Sequence, residues 1–176
     1  FRPPSEGRSL ILQVTNGCSY NKCSFCEMYT DQQKRFSPKP IEKIEEELRG
    51  LAEAGYPVKR VFLADGDAMT LSTRRLRTIL ESIRKYLPDV QRVSSYCLPR
   101  NTKNKTAAEL SELRELGLSL FYVGCESGDN LILERVNKGE TFDSSLAALE
   151  TIKAAGAKSS VMILNGMGGR RYSEQH

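Results

Sequence analysis

Three of the five cysteines, Cys18, Cys23 and Cys26, fall in the stretch TNGCSYNKCSFCEMY (residues 15–29) at a Cys-x4-Cys-x2-Cys spacing. A loop this short can wrap its thiolates round one metal centre. Soft thiolate ligands favour iron–sulfur clusters, zinc or copper(I). Three thiolates can bind three irons of a [4Fe–4S] cube and leave the fourth iron open for an outside ligand. A structural zinc loop is the competing use, and zinc wants a fourth ligand. The only histidine is His176, the last residue, so that ligand would be Cys97, Cys125 or a carboxylate. Unrelated buried cysteines are the remaining alternative.

One histidine at the end of the sequence leaves no internal imidazole for Ser–His–Asp chemistry, Cys–His chemistry or a His-rich zinc hydrolase. A bound cofactor is then the natural source of hard chemistry. Five cysteines, three of them clustered, make a poor disulfide framework and a good thiolate site in a reducing compartment. The net charge of +4 suits an anionic substrate or RNA but indicates neither. No 18-residue apolar run and no signal-peptide pattern is present, so no membrane span is expected and the cytoplasm is the expected location.

The elements that must position these residues follow one pattern. Residues 1–7 read as an extended lead-in, and residues 10–14 as an apolar strand that ends at the cysteine loop. After a polar stretch, residues 30–37, Pro38 and Pro40 introduce a helix with Ile41, Ile44, Leu48 and Leu51 on one face and Gly55 as its cap. A second strand (58–64) leads to a helix (72–87) stopped by Pro88. A third strand (92–96) leads to a helix opened by a Thr106–Glu109 capping box and ended at Gly117. A fourth strand (119–124) is followed by a short helical piece (131–136) and a helix from Asp143 to Gly156, and a fifth strand spans 159–164.

Five strands alternating with helices predict a parallel sheet with right-handed crossovers. A doubly wound sheet and a barrel both fit that alternation. The barrel is preferred because the chemically unusual residues follow the strands: the cysteines after the first, Asp65-Gly66-Asp67 after the second, Glu126-Ser127 after the fourth, Asn165-Gly166 after the fifth. The expected fold is α/β, an incomplete TIM-like (β/α)6-type parallel barrel with five βα units visible. Residues 1–176 are expected to be a single domain without internal linker, cut short where another helix should begin.

A cysteine loop directly after an apolar strand, with Phe25 just before the last cysteine, resembles the signature of the radical S-adenosylmethionine (SAM) superfamily. The commonest pattern there has three residues between the first two cysteines; this chain has four. The resemblance implies that Cys18, Cys23 and Cys26 ligate a [4Fe–4S] cluster whose open iron is chelated by SAM. It implies a one-electron donor such as flavodoxin or ferredoxin, and cleavage of SAM to a 5′-deoxyadenosyl radical that abstracts hydrogen from a substrate. It also implies that Phe25 lies near the adenine and that Asp65, Gly66 and Asp67 meet the SAM amino group. By the same likeness Glu126 and Ser127 contact the ribose or methionine part, and Lys138 or its rival Arg135 pairs with the SAM carboxylate. Ile163, Leu164, Asn165 and Gly166 resemble the segment that packs beside adenine and ribose. Cys97 and Cys125 read as core residues, and Ser95 and Tyr96 as candidates for the barrel mouth. The alternative function is a non-catalytic zinc- or iron–sulfur-binding structural module.

Overall fold

The computed structural model describes residues 2–29 and 35–176. Among the described residues, seven strands and five α-helices follow one another as β1 (Leu10–Gln13), β2 (Thr15–Asn16), β3 (Ser37–Pro38), α1 (Ile41–Glu53), β4 (Arg60–Ala64), α2 (Thr73–Tyr86), β5 (Arg92–Cys97), α3 (Ala107–Glu115), β6 (Leu118–Glu126), α4 (Asn130–Arg135), α5 (Phe142–Ala154) and β7 (Lys158–Ile163). The five longer strands form one sheet in the order β1-β4-β5-β6-β7, and each neighbouring pair is parallel. That sequential order belongs to a barrel; a doubly wound sheet reverses direction at its switch point. The small antiparallel pair β2–β3 was not foreseen, because two residues a side are too few to show periodicity. Residues 30–34 of the expected polar stretch lie outside the described residues.

Helix starts are set by local chemistry. Ser72 accepts from Arg75 N–H at 3.3 Å to open α2. Thr106 and Glu109 exchange bonds to open α3, at 3.2 Å and 2.8 Å, as the capping box predicts. Strand alternation then sorts the core into two faces. Val61 and Leu63 of β4 face the helices and join the main core with Ile44, Leu48, Ile79 and Leu110. Phe62 and Ala64, one residue out of step, face the other way with Tyr122, Tyr96, Leu120 and Met162. Phe62, Tyr96 and Tyr122 meet edge-on or tilted, with ring centroids 5.0 to 6.3 Å apart.

The lead-in is not merely extended. It makes a 3₁₀ turn over Pro4–Glu6 that carries Glu6 fully into the interior. There the Glu6 carboxylate accepts from Arg92 at 2.7 Å and from the Tyr122 hydroxyl at 2.8 Å. Burial opposes its charge, but the bonds from Ser9, Tyr122 and Arg92 outweigh it and hold Glu6 below the ordinary carboxylate value. Among the described residues no helix is long and apolar enough to cross a membrane.

Candidate cofactor site

The cysteine loop leaves β2 and lies over the C-terminal ends of the parallel strands. Cys18, Cys23 and Cys26 carry free, half-buried thiols, and all three line one cavity of about 250 Å³. Burial raises the Cys23 thiol above its ordinary value; the Lys138 ammonium opposes this, and neighbouring Cys18 and Cys26 reinforce it. Among the described residues, no group of three or more His, Cys, Asp and Glu side chains is arranged to hold a metal ion as it stands. The donor set still fits an iron–sulfur cube, which takes one soft thiolate per iron. His176 is committed elsewhere: its ring nitrogens lie 2.9 Å from Ser127 Oγ and 2.8 Å from Leu164 O.

The end of β4 holds the loop from one side. The Ser19 hydroxyl donates to the Asp67 carboxylate, and the Tyr29 hydroxyl donates to that of Asp65. Between them Gly66 takes φ +76°, and a Cβ there would collide with the Gly17 backbone. The close backbone approach at Gly66 is therefore to the cysteine loop itself. Gly66→Ala is expected to destabilise the fold by about 1–2 kcal/mol from the left-handed backbone alone, and by more if Gly17 does not give way. A urea midpoint equal to that of the wild type would refute this.

Asp65 and Asp67 have different surroundings. Asp65 is used by Tyr29 and does not line the cavity. Asp67 lines it, is 1% exposed, and keeps its Oδ1 without a hydrogen-bond partner. A buried carboxylate oxygen left unpaired costs free energy, and two donors could meet it: the nearby Asn101 amide, also buried without a partner, or a donor that comes with a ligand. Burial raises Asp67 above its ordinary value, and the Ser19 and Asn101 side chains with the Lys105 and Arg100 cations offset this only in part.

Across the cavity, Lys138 Nζ lies 3.1 Å from Glu126 Oε1, and both residues line the cavity wall. Lys138 is 3% exposed, and its Nζ sits 5.7 Å from the centroid of Phe25, which forms the half-exposed rim. The register of β6 against β7 shifts between Gly124 and Glu126, and Glu126 takes φ +66°. Such an irregularity turns a side chain at a strand end. Arg135 is not a rival, because its guanidinium lies over the Tyr172 ring.

Besides Asp65, other expected residues are not brought to the cavity. Ser127 is buried outside it, its Oγ accepting from Asp129 N–H at 3.1 Å. Ile163 is 49% exposed, and Asn165 lies in the exposed turn beyond β7. On β7 it is Met162 that faces inward, opposite Gly124, and strand alternation sends Ile163 the other way. Tyr122 and Cys97 also reach the cavity unforeseen. Tyr122 could have been found by registering β6 on β5, which sets it opposite Tyr96. Tyr96 lines the cavity as anticipated, whereas Ser95 is buried with its hydroxyl on backbone carbonyls.

A barrel-ordered parallel sheet that gathers three free thiols, a carboxylate and a lysine round one cavity at its strand ends defines a cofactor-dependent enzyme domain. The chain belongs to the radical SAM superfamily, whose family model matches residues 12–176. An uncharacterised methyltransferase of Pyrococcus horikoshii is 30% identical over 146 residues, which cover 83% of this chain and 30% of that protein. The heme chaperone HemW of Bacillus subtilis is 24% identical over 130 residues, 68% of this chain and 34% of its own. The chain thus spans about a third of these curated relatives. The cobalamin-dependent radical SAM enzyme OxsB superposes with a TM-score of 0.70 at 22% identity, covering 87% of this chain and 23% of that one. Methylornithine synthase gives 0.66 at 20% identity, covering 94% and 47%. At such identities these structures establish the fold.

Proposed function

We propose that this chain is the part of a radical SAM enzyme that holds a [4Fe–4S] cluster on Cys18, Cys23 and Cys26 and binds SAM in the adjoining cavity. The observation that carries this is the company kept by the three thiols: an unpartnered, buried carboxylate oxygen on Asp67 and a buried lysine open onto the same space. Asp67 Oδ1 accepts from the SAM amino group in a charge-assisted bond. Lys138 pairs with the SAM carboxylate, and Glu126 holds its ammonium in place. Phe25 on the rim covers the adenine. When bound, the cluster and SAM supply one-electron cleavage of the sulfonium to methionine and a 5′-deoxyadenosyl radical, with the electron coming from a carrier such as a flavodoxin or ferredoxin. Gly66, Ser19 and Tyr29 serve the site by fixing the loop on the sheet.

The test is an anaerobic reconstitution with iron and sulfide, followed by dithionite and SAM. The expected result is a brown protein with iron and sulfide in near-equal amounts and SAM-dependent release of 5′-deoxyadenosine. A colourless protein that holds stoichiometric zinc and leaves SAM intact would establish the structural-module alternative instead.

A further inference from the structure

The cysteine loop is held from a second side by residues 136–140, the turn that follows α4 and sends Lys138 into the cavity. Ser24 N–H donates to Val136 O at 2.9 Å. The Asn137 side-chain amide donates to Lys22 O at 2.9 Å, and the Tyr20 hydroxyl donates to Asn137 O at 2.9 Å. Gly139 lies under Tyr20 at φ +69°; a Cβ there would strike the Tyr20 hydroxyl and come within 2.6 Å of Arg100 Nη2. Arg100 completes the arrangement. Its guanidinium sits 3.9 Å from the Tyr20 ring centroid and donates to Gly139 O and Glu140 Oε1, each at 2.6 Å.

These bonds are not spread evenly over the loop. Tyr20 and Lys22 lie inside the four-residue interval between Cys18 and Cys23, and Ser24 follows Cys23 directly. The attachments therefore bracket one cysteine. A free interval of this length would be ordered only when a ligand bound, and that ordering would weaken binding. Asn137 itself takes φ +50°, a conformation asparagine tolerates better than most residues, and its side chain spans from the turn to the loop.

We infer that Asn137 is a positioning residue for Cys23: with Tyr20 it fixes the long Cys18–Cys23 interval, so that the Cys23 thiol is held at the cavity that Cys18 and Cys26 also line. The inference rests on the reading that these cysteines hold the cluster. The same turn carries Lys138, so the Cys23 thiol and the cation at the cavity are placed by one piece of backbone.

Two variants separate this role from a general contribution to folding. Asn137→Gly permits the left-handed backbone and removes the amide; Tyr20→Phe keeps the ring on Arg100 and removes the hydroxyl. Wild type and variants are reconstituted anaerobically and compared by iron release to a chelator and by the electron paramagnetic resonance of the dithionite-reduced cluster. Each variant is expected to release iron about two- to tenfold faster, as the loss of one ordinary hydrogen bond predicts, and to show an altered resonance line shape. Wild-type release and line shape in both variants, even with a lower unfolding temperature, would overturn the inference while leaving the cluster assignment intact. If Asn137→Gly does not fold, Tyr20→Phe decides alone. A wild-type chain that takes up no iron overturns the cofactor reading, and this inference with it.

Discussion

Replacing Cys18, Cys23 or Cys26 by alanine, one at a time, is expected to abolish cluster assembly, whereas Cys97→Ala and Cys125→Ala keep full iron and sulfide content. The three loop thiols share a cavity and have no disulfide partner among themselves or elsewhere. A cube held by three thiolates has no spare protein ligand, so losing one leaves two irons open and the cluster labile. Cys97 also reaches the cavity, which makes it the informative control. Its thiol donates to Leu98 O at 3.4 Å, is almost fully buried, and sits on β5 rather than on the short loop that carries the other three. Cys125 is a residue of β6 whose side chain is buried in the main core. Iron and sulfide counts on five anaerobically reconstituted variants settle the matter. Retention of the cluster in Cys23→Ala, or its loss in Cys97→Ala, would reassign the ligands.

The second large effect is expected at Asp67. Its Oδ2 accepts from Ser19, while Oδ1 has no partner, so the residue has one oxygen for the loop and one for a ligand. Asp67→Asn keeps an oxygen acceptor for Ser19 and replaces the free carboxylate oxygen by an amide nitrogen, which cannot accept. Hydrogen bonds to charged groups contribute about 1.5–3 kcal/mol, so SAM affinity should fall roughly ten- to hundredfold. Iron content should be unchanged. Asp67→Ala should lose both, since it also releases Ser19. Titration calorimetry of the reconstituted proteins measures the difference. Equal SAM affinity in wild type and Asp67→Asn would mean that the amine is held by another group and that the Asp65-Gly66-Asp67 turn serves only the loop.

The alternation of strands and helices was legible because each helix carries a 3.6-residue apolar stripe and each strand a short apolar run. Gly55, Thr106 and Pro88 mark their ends with specific chemistry. The lining of the cavity was legible where it follows from residue type and spacing, as with the cysteines, Asp67 and Lys138. It was obscure where the role depends on which way a strand-end residue faces. Ile163 and Met162 are adjacent and both apolar, and only the pairing of β7 with β6 decides between them. Asp65 and Asp67 flank one glycine, yet one faces Tyr29 and the other the cavity. Nothing local to Ser127 reveals that its hydroxyl turns to Asp129 and His176. The attachment of the cysteine loop to residues 136–140 is a contact between distant parts of the chain, which no window of sequence contains.

That distance bears on how the protein is made. The groups that fasten Tyr20 and Lys22 lie 117 and 115 positions further along the chain. Contacts of such long range form late, because the intervening chain must close first. On a ribosome the three thiols emerge with β1, well before Asn137 has been synthesised, and until then the loop has its attachments to Asp65 and Asp67 but lacks those to residues 136–140. A metal centre that needs this interval held in place is then delivered after residues 136–140 have reached the loop, and until that point the thiols are open to oxidants and stray metal ions.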